Sequence, residues 1–297
     1  MTAQRLAAGV GGATEIGVPD PDDLLRVVRT ALEEDLRYGP DATTAATVPA
    51  GAVAVGEFTP RRAGVLAGLP VARAVLDEVL GASGWEELSA LSDGTALVAG
   101  EPALVVRAPV RGLLTAERTA LNLLCHLSGV ATATRAWVDA LAGTPARIRD
   151  TRKTLPGLRL LEKYAVRCGG GVNHRLGLGD AVLIKDNHVA AAGSVSAALA
   201  AARAAAPDLP CEVEVDSLDQ LDDVLALGAE LVLLDNFTPA ETAEAVRRRG
   251  ALPTLLESSG GIVLADAAAY AATGVDFISV GALTHSVTAL DLGLDLR

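Results

Sequence analysis

The segment CEVEVDSLDQLDDVLALGAELVLLDN, residues 211–236, holds two short apolar runs with a helical stretch between them. Each run turns polar at its C-terminal end, the first at Glu214 and Asp216, the second at Asp235 and Asn236. Strand, helix, strand in that order is the repeating unit of a parallel sheet. The rhythm continues on both sides: ARIRDT (146–151) and DAVLIKDN (180–187) stand upstream, PTLLESSGG (253–261) and DFISVGAL (276–283) downstream. Most of these runs are bounded by Gly, Pro or Asp, as buried parallel strands usually are. They predict a parallel α/β barrel or open sheet in the second half of the chain. Their polar ends add Asp150, Thr151 and Arg152, then Lys185, Asp186 and Asn187, then Glu257, Ser258 and Ser259, and finally Gly281. In a barrel such ends converge on one face, where enzymes of this build carry their chemistry. Any one of them alone reads as an ordinary loop; together they read as an active-site rim.

The first half has a different texture. Residues 1–18 are small and Gly-rich and read as a loose tail. A helix follows, with Asp20 as cap, Pro21 at its first position, and Leu24, Leu25, Val28, Ala31 and Leu32 at helical spacing. The β-type runs GAVAVGEF (51–58), GVLAG (64–68) and ALVAGEPALVVRA (96–108), with the helical PVARAVLDEVL (70–80) among them, predict a small α+β layer to about residue 110. From Gly112 to about Leu141 the pattern is helical, with a break expected near Ser128 and Gly129.

Composition narrows the function classes. A chain of 297 residues, 50% hydrophobic and 21% charged, suits a barrel-sized domain plus a smaller one. Cys125, Cys168 and Cys211 stand singly, without the spacing of a zinc site or redox pair, and read as reduced core thiols of a cytoplasmic protein. No apolar run is long enough for a signal-peptide core or a membrane helix, and the Ala-rich SVSAALAAARAAAP is broken by Arg203. A formal net charge of -12 repels nucleic-acid phosphates and anionic lipid, and 3% aromatics leave little for base stacking. The expected partners are small molecules and other copies of the chain, with no nucleic acid and no membrane.

Against that acidic background, residues 147–188 carry nine Lys or Arg against four Asp or Glu. Arg159, Lys163 and Arg167 recur at i, i+4, i+8 and are expected to form a solvated helix stripe. Arg152 and Lys153 follow a strand end, His174 and Arg175 follow GGGVN, and Lys185 closes an apolar strand, where an ammonium needs an anionic partner. These five groups suit a small, multiply charged anion. Arg118 falls on the apolar line Leu114, Leu121, Cys125, where it must snorkel, pair with Glu117, or point across an interface. Ser259, Gly260 and Gly261 after a late strand form a plain turn or, with Gly281, a phosphate cradle. Glu214 and Asp235 can accept from sugar hydroxyls, hold a hydrated Mg²⁺, or be structural. The chain has no Walker loop, Rossmann fingerprint, HExxH or GxSxG.

The motifs EEDLRYGPDATT (33–44), ERTALNLLCHLSGVAT (117–132), DTRKTLPGLRLLEKYAVRCGGGVNHR (150–175), LGDAVLIKDNH (178–188), EVEVDS (212–217), LLDN (233–236) and SGGI (259–262), in that order, closely resemble the quinolinate phosphoribosyltransferase family. The resemblance covers nearly all of the chain after about residue 15. It implies an N-terminal α/β sandwich over 19–125, an open α/β barrel of the type II phosphoribosyltransferase kind over 126–285, and a segment 286–297 that returns to the first domain. It also implies a homodimer with a shared active site, Mg²⁺ as cofactor, and the joining of quinolinate to phosphoribosyl pyrophosphate with loss of pyrophosphate and CO₂, giving nicotinate mononucleotide for NAD synthesis. On matching positions, Arg152, Lys153, His174, Arg175 and Lys185 would surround quinolinate, and Arg118 would reach it from the other subunit. Glu214 and Asp235 would face ribose and Mg²⁺. Ser259, Gly260, Gly261 and Gly281 would hold the 5′-phosphate, with His285 lining the same region. Lys153, Lys185, Glu214 and Asp235 would be the catalytic groups. Ser258 departs from the pattern, in which a larger apolar residue is more usual, and is expected to alter the cradle slightly. Two rival readings are a Schiff-base aldolase using Lys185 and a noncatalytic oxyanion-binding relative.

Overall fold

The computed structural model describes residues 16–297, so the tail predicted at 1–18 lies, but for its last three residues, outside the described residues. The chain forms two compact units. Among the described residues one comprises 16–135, 154–170 and 283–297, and the other 136–153 and 171–282. The family resemblance had placed the change of domain at 125/126, and the units change at 135/136.

In the first unit, helix α1 (Pro21–Leu36) begins as its sequence dictates: Asp20 accepts from the Asp23 amide at 2.9 Å, Pro21 leads, and Leu24, Val27, Val28 and Leu32 are buried. Strands β1 (Val53–Pro60), β2 (Gly64–Val65), β3 (Glu86–Ala90), β4 (Ala96–Leu97) and β5 (Leu104–Pro109) follow, with helix Leu69–Leu80 between β2 and β3. In β5 Leu104, Val106 and Ala108 are buried while Arg107 and Pro109 are exposed, the alternation of a sheet with one dry face. The antiparallel sheet runs β12-β1-β5-β3, where β12 is Leu292–Leu296, paired with β1 through Phe58 and Leu294. Strand β3, missed in the sequence, is exposed at every position, because an edge strand with two wet faces carries no apolar alternation.

Helix Val110–Ala140 is continuous, against the expected break at Ser128 and Gly129. Both residues serve contacts instead. Ser128 Oγ accepts from the Ala67 amide at 3.1 Å, and a Cβ on Gly129 would lie 2.5 Å from the Thr288 carbonyl oxygen, so glycine admits a crossing backbone. Arg118 does not lie on the buried stripe, which runs through Leu113, Ala116, Ala120, Leu124 and Leu127; its side chain is 66% exposed, with Glu117 at 3.9 Å. The supposed solvated stripe of helix Arg159–Cys168 is largely enclosed: Lys163 is fully buried, and Arg159 and Arg167 are half-buried. The reason is a helix surrounded within its unit, where Tyr164 donates to Asp93 at 2.7 Å, Arg167 donates to the Ile16 carbonyl at 3.0 Å, and Gly169 closes on Ala131 and Thr134.

The second unit contains β6 (Arg147–Arg149), β7 (Val182–Ile184), β8 (Cys211–Val215), β9 (Leu231–Asp235), β10 (Leu255–Ser259) and β11 (Phe277–Ser279), all parallel, in the order β6-β11-β10-β9-β8-β7. Helices Val195–Ala205, Leu218–Ala226 and Pro239–Arg249 alternate with β7 to β10. In sheet order β6 and β8 are four spacings apart, about 19 Å if the sheet were flat. Yet Arg149 Nη1 on β6 is 3.7 Å from Glu212 Oε1 on β8, and the same guanidinium is ion-paired with Glu257 on β10. The sheet therefore curls into a barrel, with alternate strands filling one interior layer. It stays open, because the edge strands β6 and β7 are not paired with one another. Among the described residues no helix is long and apolar enough to cross a membrane.

Candidate active site

The barrel's C-terminal strand ends surround a cavity of about 340 Å³. Thr151, Arg152 and Lys153 enter it after β6, His174 and Arg175 from the segment that follows, Lys185 after β7, Glu214 from β8, Asp235 from β9, Ser259 and Gly260 from the end of β10, and Ser279 from β11. Strand pleat explains the selection. Glu214 pairs in register with Leu233, and Asp235 with Ser259, and all four line the cavity, whereas Val215, Leu234 and Ser258 are buried on the opposite face.

The cations are arranged for something anionic. Arg152 Nε and Arg175 Nε are buried with no hydrogen-bond partner. Burial, together with the neighbouring Arg152, holds the Arg175 guanidinium below its ordinary range. Lys185 is ion-paired with Glu214. Below the cavity Asp150, fully buried, accepts from the His174 amide at 2.7 Å and from Asn173 Nδ2 at 2.6 Å, fixing the segment that carries Arg175.

At the end of β10, Gly260 and Gly261 have φ of +98° and +60°. That is a turn conformation from which successive backbone N–H groups can form an anion-binding concavity. Gly281 follows β11, two residues beyond Ser279. Ser258 does not reach the cradle: it faces helix Pro239–Arg249, its Oγ 3.5 Å from Thr242 Oγ1. Arg118 and His285 belong to the other unit, where His285 Nδ1 shares a 2.6 Å hydrogen bond with Ser286 Oγ. A shallower recess of about 620 Å³ in that unit has a single lining cation, Arg29, already bonded to Glu78 at 2.8 Å, so it offers no converging positive charge.

Sequence reasoning missed Arg149 and Glu212, which sit with Glu257 and His174 in the barrel interior. Although burial opposes it, the hydrogen bond from His174 and the Arg149 charge hold the Glu212 carboxyl low, while burial and the Glu212 charge push Glu257 up. The available signal was charge at alternate, inward positions of the short runs ARIRD and CEVEV.

A curled parallel sheet whose strand ends aim this many cations into one cavity is the build of an α/β-barrel enzyme. The family models carry the assignment further: quinolinate phosphoribosyl transferase, N-terminal domain, matches residues 41–128, and quinolinate phosphoribosyl transferase, C-terminal domain, matches residues 130–295. The chain belongs to the quinolinate phosphoribosyltransferase family. It is 66% identical over 271 residues to a nicotinate-nucleotide pyrophosphorylase (carboxylating) of Mycobacterium leprae, covering 91% of this chain and 95% of that protein. The human protein of that name is 40% identical over 283 residues, covering 93% and 92%. The solved nicotinate-nucleotide pyrophosphorylase of Francisella tularensis superposes with a TM-score of 0.90 at 38% identity, covering 95% of this chain and 99% of that one.

Proposed function

We propose that the protein transfers the phosphoribosyl group of phosphoribosyl pyrophosphate to quinolinate with decarboxylation, yielding nicotinate mononucleotide, pyrophosphate and CO₂, a step of de novo NAD biosynthesis. The observation that carries this reading is the pair of buried guanidinium Nε–H groups, Arg152 and Arg175, without partners in a wall they share with Lys153 and Lys185. Two neighbouring carboxylates on a pyridine ring match such forks bidentately, each charge-assisted bond contributing about 1.5–3 kcal/mol. Clamping both carboxylates sets the ring nitrogen against ribose C1 and removes much of the entropic barrier to displacement.

In the displacement a bond forms from the pyridine nitrogen to C1, and pyrophosphate leaves with the electrons of the C1–O bond. Glu214 and Asp235 face the positive charge that grows on the ribose. The alkylated ring is cationic, so it accepts the electron pair left when CO₂ departs from the adjacent carbon, which then takes a proton. Glu214 and Asp235 offer oxygen donors on one face of neighbouring strands, a set that fits Mg²⁺ held through one or two carboxylates and substrate phosphates. Bound there, Mg²⁺ would neutralise charge on the leaving pyrophosphate. Ser259, Gly260, Gly261 and Gly281 cradle the 5′-phosphate in this reading.

The family resemblance supports a homodimer in which Arg118, exposed on its helix, enters the partner's cavity. The single reduced cysteines support a cytoplasmic site of action. Lys185, paired with Glu214 rather than set in an apolar pocket, lacks the environment of a Schiff-base lysine. The test is incubation of purified protein with quinolinate, phosphoribosyl pyrophosphate and Mg²⁺, measuring nicotinate mononucleotide and CO₂, with nicotinate as control substrate. Product from quinolinate alone is expected; the absence of product from folded protein would leave an anion-binding protein without turnover.

A further inference from the structure

Glu162 has no part in the chemistry above, yet its carboxylate is completely buried. A charge in that position needs bonds that offset its lost hydration. Both oxygens are engaged, and both within the first unit. Oε1 lies 2.8 Å from Nε2 of His126 on helix Val110–Ala140, and Oε2 accepts from the Leu155 N–H at 3.1 Å. Glu162 stands in the first turn of its own helix, where a carboxylate is also favoured by the helix dipole. Leu155, its backbone partner, opens a tight turn. The Leu158 N–H donates to the Leu155 carbonyl at 3.1 Å, with Pro156 second and Gly157 third at a φ of +82°, as a type II turn requires. Two more side chains hold the same stretch: the Gly157 carbonyl accepts from Arg26 Nη2 of α1 at 2.6 Å, and Thr154 Oγ1 accepts from Arg159 Nε at 3.0 Å. Residues 154–158 belong to no helix or strand, and three separate side chains pin them.

The pinned turn begins directly after Lys153. Arg152 and Lys153 line the cavity, where Arg152 is near enough to Arg175 to depress it. Like charges gathered without a ligand repel one another, so the backbone that carries them must resist their separation. On the upstream side β6 does this, through the pairing of Arg149 with Ser279 on β11. We infer that Glu162 is a positioning residue: by holding the Leu155 N–H it anchors the turn 154–158, and through that turn it keeps Arg152 and Lys153 set for the anion. The inference deepens the proposed function and rests on it for the identity of that anion. It also gives a use to TLPGL (154–158) and to the acid of EKYAV (162–166), parts of the long basic motif that the cavity itself leaves idle.

Two measurements on the full-length protein test this. Hydrogen exchange without substrate, read by mass spectrometry, should show residues 151–158 exchanging about tenfold faster in Glu162→Ala than in wild type, with β8 to β10 unchanged. In kinetics the same variant should raise KM for quinolinate roughly tenfold, while kcat and KM for phosphoribosyl pyrophosphate stay within about twofold. Glu162→Gln keeps an oxygen that accepts from the Leu155 N–H and should recover most of both losses. Unchanged exchange, equal rises in the two KM values, or a glutamine variant no better than alanine overturns the inference. If Glu162→Ala does not fold, Arg26→Ala, whose side chain is half exposed, should give the same pattern at about threefold, and no change there is equally decisive. A wild type that turns over no quinolinate would sink the proposed function alone. Exchange would then decide the inference together with calorimetry on phthalate, a benzene ring with the same two neighbouring carboxylates, which should bind Glu162→Ala about tenfold more weakly than wild type.

Discussion

Replacing Gly260 by alanine tests the cradle at the end of β10. Its φ of +98° lies where an L-residue pays about 1–2 kcal/mol. A Cβ there would come 2.2 Å from Asn236 Oδ1, 2.7 Å from its Cγ and 2.8 Å from its backbone nitrogen. The amide oxygen can rotate aside. The nitrogen cannot, because it donates to the Ser259 carbonyl at 2.9 Å and so ties the ends of β9 and β10 together. Overpacking against backbone adds about 1–3 kcal/mol, for a total near 2–5 kcal/mol. Gly261 is the internal control: its φ is +60°, and a Cβ there meets nothing within 4 Å, so Gly261→Ala should cost only the backbone part, about 1–2 kcal/mol. Urea denaturation of both variants beside the wild type measures the difference, and steady-state kinetics should place the larger rise in KM for phosphoribosyl pyrophosphate with Gly260→Ala. Equal stability losses would refute the close approach of Asn236, and an unchanged KM would remove this turn from the phosphate site.

Ser258→Ala, on the helix-facing side of β10, should leave both KM values unchanged and shift stability by no more than about 1 kcal/mol, as measured by the same two assays. Mixing Arg118→Ala with Arg175→Ala protein should restore activity to about one quarter of wild type, because half of randomly assorted dimers would carry one intact site of two; no recovery after verified exchange argues against sharing. Burial pushes the thiols of Cys125, Cys168 and Cys211 up, that of Cys168 to about 12, so at pH 8 a disulfide reagent should react slowly with native protein and with all 3 thiols in guanidinium. For Cys168 the folded state keeps its proton where the unfolded chain, near 9.0, releases it. Its contribution is therefore full below pH 9 and is lost as pH rises toward 12, and Cys168→Ala should flatten an alkaline stability profile recorded by chemical denaturation.

Most of the barrel was legible because buried parallel strands announce themselves as short apolar runs that end in polar residues. The cavity residues Arg152, Lys153, Lys185, Glu214, Asp235 and Ser259 could be read for the same reason: they stand at those ends, while Arg175 could be read from the GGGVN that precedes it. What could not be read depended on neighbours distant in sequence. Ser128 and Gly129 look like a helix break, and only the crossing backbone at Thr288 explains why they lie within a helix. Lys163 has the spacing of a surface stripe, and only the packing of its whole helix buries it. Arg149 and Glu212 are far apart in sequence, and curling of the sheet brings their charges within 3.7 Å.

The pairing of β12 with β1 bears on the order of assembly during synthesis. A chain leaving the ribosome completes β1, β3 and β5 early, yet one side of β1 keeps its N–H and C=O groups unpaired until Leu292–Leu296 emerges. Every strand of the barrel sheet is made in that interval. The nascent first unit thus spends most of translation with an open sheet edge, the surface through which chains join wrongly to one another. Leu292–Leu296 covers β1 only at the end, so loss of a few residues there would leave β1 itself as the edge while leaving the residues that line the cavity intact.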